Sequence, residues 1–140
     1  MENKIGKVLL LLALAGTACE DCRKKQIALY IPIATAGAGV VLHLLYREMT
    51  LENILLGATV GGMLILIAWI SRGSVGVGDG IMLTVSGIFL GFWENIVLFM
   101  TALGMVSMTA LCLIVIKRKE RNYRLPFLPF LLAAYLFLLI

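Results

Sequence analysis

The chain contains only two aspartates, Asp21 and Asp79, and each lies beside an apolar stretch that carries almost no other ionisable group. Two carboxyl groups a few ångströms apart cannot both ionise, so they share one proton. One member can then act as a general base toward water while the other protonates the carbonyl oxygen of a peptide bond. If the fold brings Asp21 and Asp79 together, they could serve an aspartic peptidase.

Asp79 is set among three glycines, Gly76, Gly78 and Gly80. Without a Cβ atom, the backbone can adopt positive φ and lie close to a neighbouring helix or to an extended peptide substrate. We therefore predict that these glycines support the position of Asp79. A simpler interpretation is that Asp79 caps a helix and that Asp21, next to a basic run, is a solvated loop charge.

Composition indicates an integral membrane protein. Hydrophobic residues make up 61% of the chain, charged residues 14%, and the mean hydropathy is +1.03, whereas soluble domains carry roughly 25% charged residues. The apolar runs are continuous and not alternating, which favours helices over a β-barrel. We predict an all-α, polytopic fold with about six transmembrane helices in a single domain, residues 1–140. The lipid bilayer is then an expected partner. We relate the net charge of +4 to the orientation of the chain in the membrane and not to nucleic-acid binding.

Polar interruptions divide the chain into predicted spans at residues 5–19, 27–46, 53–70, 81–92, 96–116 and 126–140. The stretch 81–116 has to break, because one helix of that length would be about 54 Å long, against a hydrocarbon core of about 30 Å. Gly91 and the following Glu94-Asn95 pair predict a wet turn there. In the third span, Gly57, Gly61 and Gly62 predict a face for close helix packing.

Charge distribution predicts the orientation. Residues 8–18 also resemble a signal peptide, but removing them would place most basic residues outside. With six spans and the N-terminus outside, nine of the twelve Lys and Arg residues lie on the cytoplasmic side, as the positive-inside rule requires. Two spans separate Asp21 from Asp79, so both are expected at the cytoplasmic face of a multi-pass protein of the cell membrane.

We predict structural roles for the other potentially reactive side chains. Cys19 and Cys22 form a lone CxxC pair without further zinc ligands or a thioredoxin-like context, so neither a metal nor a cofactor is predicted. His43 is expected to be a packing residue in the second span, and Glu94 to lie at the outer turn. The basic segment 117–124 is expected to contact anionic headgroups.

Three segments resemble the type IV prepilin peptidases and the related GxGD-type intramembrane aspartic proteases. Residues 76–79, Gly-Val-Gly-Asp, fit the Gly-x-Gly-Asp signature of that family. Residues 21–27, Asp-Cys-Arg-Lys-Lys-Gln-Ile, are similar to its first aspartate motif, and residues 126–130, Pro-Phe-Leu-Pro-Phe, to the segment that opens its last helix. Three positions depart from the family pattern, namely Ile81, Ala28 and Leu29, and the cysteine-rich domain of the larger bifunctional members is absent.

The resemblance implies a small, peptidase-only member whose catalytic pair is Asp21 and Asp79. Its substrates would be type IV prepilin or pseudopilin-like precursors, cut at the cytoplasmic membrane face to remove the leader peptide. Two alternatives stay open from the residues themselves. One is a non-enzymatic membrane subunit of a pilus or secretion assembly, and the other is an ion-coupled carrier with Asp79 as its proton site.

Overall fold

The computed structural model describes residues 4–24, 28–47, 49–73, 76–117 and 125–140, and all regular structure within them is helical. Six helices follow in order: α1 Lys4–Lys24, α2 Tyr30–Tyr46, α3 Leu51–Ile70, α4 Val77–Leu90, α5 Phe92–Lys117 and α6 Leu128–Leu139. The predicted all-α fold is confirmed, and each predicted apolar span corresponds to one helix. The start of the second predicted span, at residue 27, and residues 118–124 of the predicted basic segment lie outside the described residues.

The first helix is longer than the predicted span and continues to Lys24. Asp21 therefore lies in the last turn of α1, and its predicted position in a loop is wrong. Hydropathy detects where an apolar stretch ends, but a helix continues through charged residues such as Glu20 because they have adequate helix propensity. The Glu20 carboxylate accepts a hydrogen bond from the Ala28 N–H at 3.0 Å, which links the residue before α2 begins to the last turns of α1.

The fourth helix, α4, lies at the centre of the bundle. It contacts α1, α2, α3 and α5, while α6 packs against α1 and α5. Most of its side chains are buried, including Met82, Leu83 and Phe89. Because α4 is surrounded by four other helices, its position determines where Asp79, in its first turn, is placed.

Glycines allow α3 and α4 to approach at backbone distance. A Cβ atom on Gly57 would collide with the Gly87 carbonyl, and one on Gly61 would collide with the backbone of Thr84. The predicted close-packing face is thus confirmed for Gly57 and Gly61. Gly62 has open space around its missing side chain, so its predicted part in this face is wrong, because it is one residue, about 100°, away from Gly61.

The break between the fourth and fifth helices occurs at Gly91, as predicted. Gly91 has φ +82° and donates its N–H to the Gly87 carbonyl at 2.9 Å, and α5 begins at the next residue. The His43 Nε2 lies 2.7 Å from the Ile88 carbonyl oxygen, so it donates to one of the carbonyls that a helix end leaves without a helical partner. This contact confirms that His43 is a packing residue.

Asn95 is completely buried, and the prediction that it belongs to a wet turn is wrong. Its side-chain nitrogen donates to the carbonyls of Gly57 at 3.0 Å and Leu83 at 3.1 Å, and its side-chain oxygen accepts from the Ser86 hydroxyl at 2.7 Å. The side chain thus links α5 to α3 and α4. Both the nitrogen and the oxygen of the amide have hydrogen-bond partners, which is the condition for placing an amide in an apolar interior.

The outer surface of the bundle is apolar. Among the described residues, α3 and α5 are long and apolar enough to cross a membrane, with mean hydropathies of 2.0 and 2.3 over their most apolar parts. Both expose most of that apolar surface, including Met63 on α3 and Met108 on α5. A core helix of a soluble protein would be buried, so these exposed faces favour a lipid environment. The helices α2, α4 and α6 are apolar but shorter, at 17, 14 and 12 residues.

The contrast between Gly61 and Gly62 provides a test of the close contact between α3 and α4. We expect Gly61→Ala to destabilise the protein in detergent by about 1–3 kcal/mol, because the added methyl group meets backbone that cannot rotate away. Gly62→Ala is the matched control and should be neutral or stabilising by up to about 1 kcal/mol, the gain in helix propensity. Thermal unfolding followed by circular dichroism measures both, and equal effects of the two substitutions would contradict this packing.

Candidate active site

The position of Asp79 is fixed by the start of α4. Gly76 is the N-cap residue of this helix, with φ −70° and ψ 125°, and Asp79 is the third residue inside it. The Asp79 carboxylate bends back toward the N-cap, so that a Cβ atom on Gly76 would lie only 2.7 Å from Asp79 Oδ2. The absence of a side chain at position 76 therefore leaves space for this carboxylate.

The other two glycines of the motif lie within α4 itself. Gly80 is buried against α3, where a Cβ atom would approach the Ile65 backbone nitrogen to 2.9 Å and the Ile65 Cγ1 atom to 2.6 Å. Gly78 is half-buried in the first turn. The glycines thus permit close approach, but the predicted use of positive φ is wrong, because Gly76 has negative φ and Gly78 and Gly80 are helical.

Asp21 reaches the same region from the end of α1. It accepts a hydrogen bond from the backbone N–H of Leu128, the first residue of α6. Its second carboxylate oxygen, Oδ2, is buried and has no hydrogen-bond partner among the described residues. A buried carboxylate oxygen without a partner is costly in a folded protein.

The N-terminus of α6 explains why Leu128 supplies this hydrogen bond. Leu128 is completely buried, Pro129 has no N–H, and the Phe130 N–H already bonds to the Phe127 carbonyl at 3.0 Å. Among the first three residues of α6, only Leu128 therefore has an N–H to offer, and a buried N–H requires an acceptor. Sequence reasoning noted this proline-containing segment but did not identify its contact with Asp21.

Three helix ends meet at the site: the C-terminus of α1, the N-terminus of α4 and the N-terminus of α6. They bring Asp21, Asp79 and Leu128 together although more than a hundred residues of chain separate the first from the last. The fold therefore places the two aspartates that the sequence singled out close enough for the charge of Asp21 to act on Asp79.

The electrostatics of the two carboxyl groups are coupled. Both lie in helix-end turns, outside the apolar stretches on either side of them. Burial raises the pKa of Asp79, and the nearby charge of Asp21 raises it further, to about 7. Burial also raises the pKa of Asp21, while the hydrogen bond from Leu128 lowers it. Asp79 is therefore about half protonated at pH 7 and mostly protonated at slightly lower pH, and the coupled titration belongs to both groups.

The free N–H groups at the start of α4 oppose the rise of the Asp79 pKa, because they stabilise the ionised carboxylate. A carboxylate in the first turn of a helix is typically stabilised by about 0.3–1 kcal/mol. The rise of the Asp79 pKa from 3.8 to about 7 corresponds to roughly 4 kcal/mol, at about 1.4 kcal/mol per unit. Burial and the charge of Asp21 therefore outweigh the helix end, and the protonated form of Asp79 is retained up to near-neutral pH.

The remaining candidate residues lie elsewhere. Glu94 lies at the start of α5, at the end of the bundle opposite to the aspartates, as predicted. Cys19 and Cys22 are free and exposed. Within the described residues, no group of three His, Cys, Asp or Glu side chains is arranged to hold a metal ion.

Comparison of the chain with protein-family models, with curated proteins and with solved structures finds no match. The resemblance to the prepilin peptidases therefore depends on the three short motifs. The function has to be inferred from the geometry and electrostatics of the site.

A pair of carboxyl groups with one proton can carry out both halves of acid–base catalysis. The protonated Asp79 can donate a proton, and the ionised Asp21, with its unpartnered Oδ2, can accept one. No side-chain nucleophile is required for hydrolysis by this route. The arrangement therefore fits direct attack of water on a carbonyl group.

The raised pKa of Asp79 predicts a specific dependence of stability on pH. Between about pH 4 and pH 7, Asp79 keeps its proton in the folded protein. In the unfolded chain its carboxyl group has a pKa near 3.8 and releases that proton. Stability should therefore be greatest below about pH 4 and fall as the pH rises through 7, by at most about 4 kcal/mol from this group. Asp79→Asn should weaken this fall.

Thermal unfolding in detergent at several pH values measures this effect. Glu52→Gln is the matched control, because it replaces a carboxyl group by an amide at an exposed position in the first turn of α3. It should follow the wild-type pH dependence. If Asp79→Asn also follows the wild type, the burial and charge coupling assigned to Asp79 are wrong.

Proposed function

We propose that this chain is a multi-pass membrane aspartic endopeptidase that removes the leader peptide of type IV pilin-like precursors at the cytoplasmic membrane face. The observation that carries the proposal is the coupling of Asp21 and Asp79. They are the chain's only aspartates, they come from distant segments, and burial together with the charge of Asp21 raises the pKa of Asp79 to about 7. A pair of loop charges with no common role would gain nothing from this costly arrangement.

The membrane placement is supported by the apolar exterior and by the direction of the helices. The ends of α1, α4 and α6 at the aspartates are one C-terminus and two N-termini, as six successive crossings require. In this orientation the basic residues are concentrated on the side of the aspartates, which the positive-inside rule assigns to the cytoplasm.

In the proposed reaction, a water molecule bound by Asp21 Oδ2 attacks the carbonyl carbon of the scissile peptide bond. Asp21 takes one proton from the water, and Asp79 gives its proton to the carbonyl oxygen, which yields a neutral tetrahedral intermediate. When the C–N bond breaks, Asp21 transfers its proton to the leaving amine, and Asp79 regains a proton from the collapsing diol. Each carboxyl group returns to its starting state, and the products are a carboxylic acid and an amine.

The substrate class is inferred from the three motifs shared with the prepilin peptidases. Segment 126–130 gains a physical role in this proposal, because its helix start supplies the Leu128 N–H that holds one oxygen of Asp21. The departures at Ala28, Leu29 and Ile81 lie next to the two aspartate motifs. We attribute to them differences in substrate preference and not the loss of hydrolysis, since neither carboxyl group depends on these side chains.

The first test is cleavage of a pilin-like precursor from the same genome, co-expressed with the wild type, Asp21→Asn or Asp79→Asn. We expect each substitution to reduce leader removal by at least about a thousandfold, because one of the two proton-transfer groups is lost. Glu52→Gln should cleave normally, and immunoblots should show equal amounts of all variants in the membrane.

Cleavage by both Asn variants at the wild-type rate would exclude the peptidase. A non-enzymatic subunit of a pilus or secretion assembly would then be favoured, and a stable protein partner should co-purify. Cleavage that is lost in one variant only would exclude the shared dyad and leave a single essential carboxyl group.

The second test is the pH dependence of cleavage by purified protein in detergent. The proton donor is Asp79, with a pKa of about 7, so the rate should fall as the pH rises above about 7. It should also fall at acid pH, where Asp21 is protonated and cannot act as a base. A rate that continues to rise to pH 9 would contradict a protonated Asp79 and would indicate a thiol or amine as the reacting group.

A further inference from the structure

Two thiol groups lie on one exposed face near the end of α1, next to the candidate active site. Cys19 and Cys22 are three residues apart in this helix, and both are free and exposed. The third cysteine of the chain, Cys112, is also free and exposed, but it is the only cysteine of α5. Residues three apart in a helix are surface neighbours, so Cys19 and Cys22 form a pair.

Asp21 lies between the two cysteines along the chain, with its carboxylate on the inner side of the helix, where Oδ2 is buried. Its carboxylate is held by the hydrogen bond from the Leu128 N–H at the start of α6. An N–H···O hydrogen bond is about 2.7–3.2 Å long. A displacement of the Asp21 backbone by about 1 Å is therefore enough to break this contact.

A disulfide between Cys19 and Cys22 would change the backbone in this part of α1. In a regular helix the Cα atoms of residues three apart are separated by about 5 Å, and a disulfide spans Cα distances of about 4.4–6.8 Å. Their Cβ atoms, however, are about 5–6 Å apart, whereas a disulfide needs about 3.5–4.5 Å. Closing the bond therefore draws the two Cβ atoms together by about 1–2 Å. Because α1 ends at Lys24, the deformation falls in its last turns, which include Asp21.

We propose that Cys19 and Cys22 are a redox-sensitive pair, which forms an intrahelical disulfide by exchange with a small anionic disulfide and thereby displaces Asp21 from Leu128. The cytoplasmic position proposed above suits this role, because disulfides in cytosolic proteins are usually transient and catalytic or redox-sensing. The residues that follow Cys22, Arg-Lys-Lys at 23–25, add positive charge to this segment, which favours the approach of an anionic reagent. The thiol chemistry does not depend on peptidase activity, whereas its effect on cleavage rests on the proposed function.

The exchange is balanced in both of its steps. The thiolate of one cysteine attacks a sulfur of the small disulfide, so that a mixed disulfide forms and one small thiolate leaves. The thiolate of the other cysteine then attacks the protein sulfur of the mixed disulfide and releases the second small thiolate. The protein pair loses two electrons and two protons, and the small disulfide is reduced to two thiols.

Counting of free thiols tests the formation of the bond. The reduced full-length protein in detergent is treated with oxidised glutathione, denatured and labelled with a maleimide, and the labels are located by mass spectrometry. We expect the wild type to change from three free thiols to one, on Cys112, and Cys112→Ser to form the same bond. Cys22→Ser should instead hold a stable mixed disulfide with glutathione on Cys19. A mixed disulfide that persists on the wild type, or thiols of the pair that remain free, would overturn the proposal.

Hydrogen exchange tests whether the bond displaces Asp21. Segment 126–130 has three backbone N–H groups, because residues 126 and 129 are prolines, and one of the three is the Leu128 N–H that donates to Asp21. We expect this N–H to exchange at least about tenfold faster in the oxidised wild type, because its hydrogen bond is lost, and to recover when dithiothreitol is added. Cys22→Ser treated in the same way should exchange as the reduced wild type does. Unchanged exchange in protein that carries the Cys19–Cys22 bond would show that the pair does not act on Asp21.

Leader cleavage measures the consequence for the proposed peptidase. The oxidised wild type should cleave about a hundredfold more slowly than the reduced protein, because a misplacement of about 1 Å costs a reaction about that factor, and dithiothreitol should restore the rate. Cys22→Ser should cleave at the same rate before and after treatment. A full rate in the disulfide-bonded wild type would contradict control of the site by this pair. If the reduced protein does not cleave either, the thiol count and the hydrogen exchange still decide the redox proposal, so the failures of the two proposals are distinguishable.

Discussion

The backbone contact between α3 and α4 is the constraint on which the rest of the structure depends. Gly57 meets Gly87, Gly61 meets Thr84, and Gly80 meets Ile65, so three contacts along the two helices fix both their distance and their rotation. In lipid there is little hydrophobic force between helices, and close van der Waals packing of small residues replaces it. The contact nearest the first turn of α4 directly follows Asp79, so the helix interface also sets the position of the site.

Buried polar side chains inside the bundle lie where they can form hydrogen bonds. His43 donates to the Ile88 carbonyl near the end of α4, and Asn95 donates to the carbonyls of Gly57 on α3 and Leu83 on α4. Asp21 Oδ2 is the exception among the described buried side-chain atoms. Among the described residues, this oxygen is therefore the one buried polar side-chain atom whose position is not explained by hydrogen bonding.

The two ends of the bundle differ in character although the same helices form them. At one end, two carboxyl groups of like charge are held together at the expense of stability, and one stays protonated. At the other, the oppositely charged Lys7 and Glu94 lie beside exposed apolar side chains. In the proposed membrane placement, hydrocarbon would surround the middle of the bundle and leave both ends to face headgroups and water.

The sequence alone determined the all-α class, the number of helices and the identity of the aspartates, because apolar runs and rare charges are local features. It could not show that α1 continues past Asp21, since hydropathy records burial in lipid and not helix length. Nor could it show that Asn95 is buried, that Gly62 faces outward, or that Leu128 supplies a hydrogen bond to Asp21. These facts depend on the rotation of each helix and on which ends meet, and only the packing of distant segments decided them.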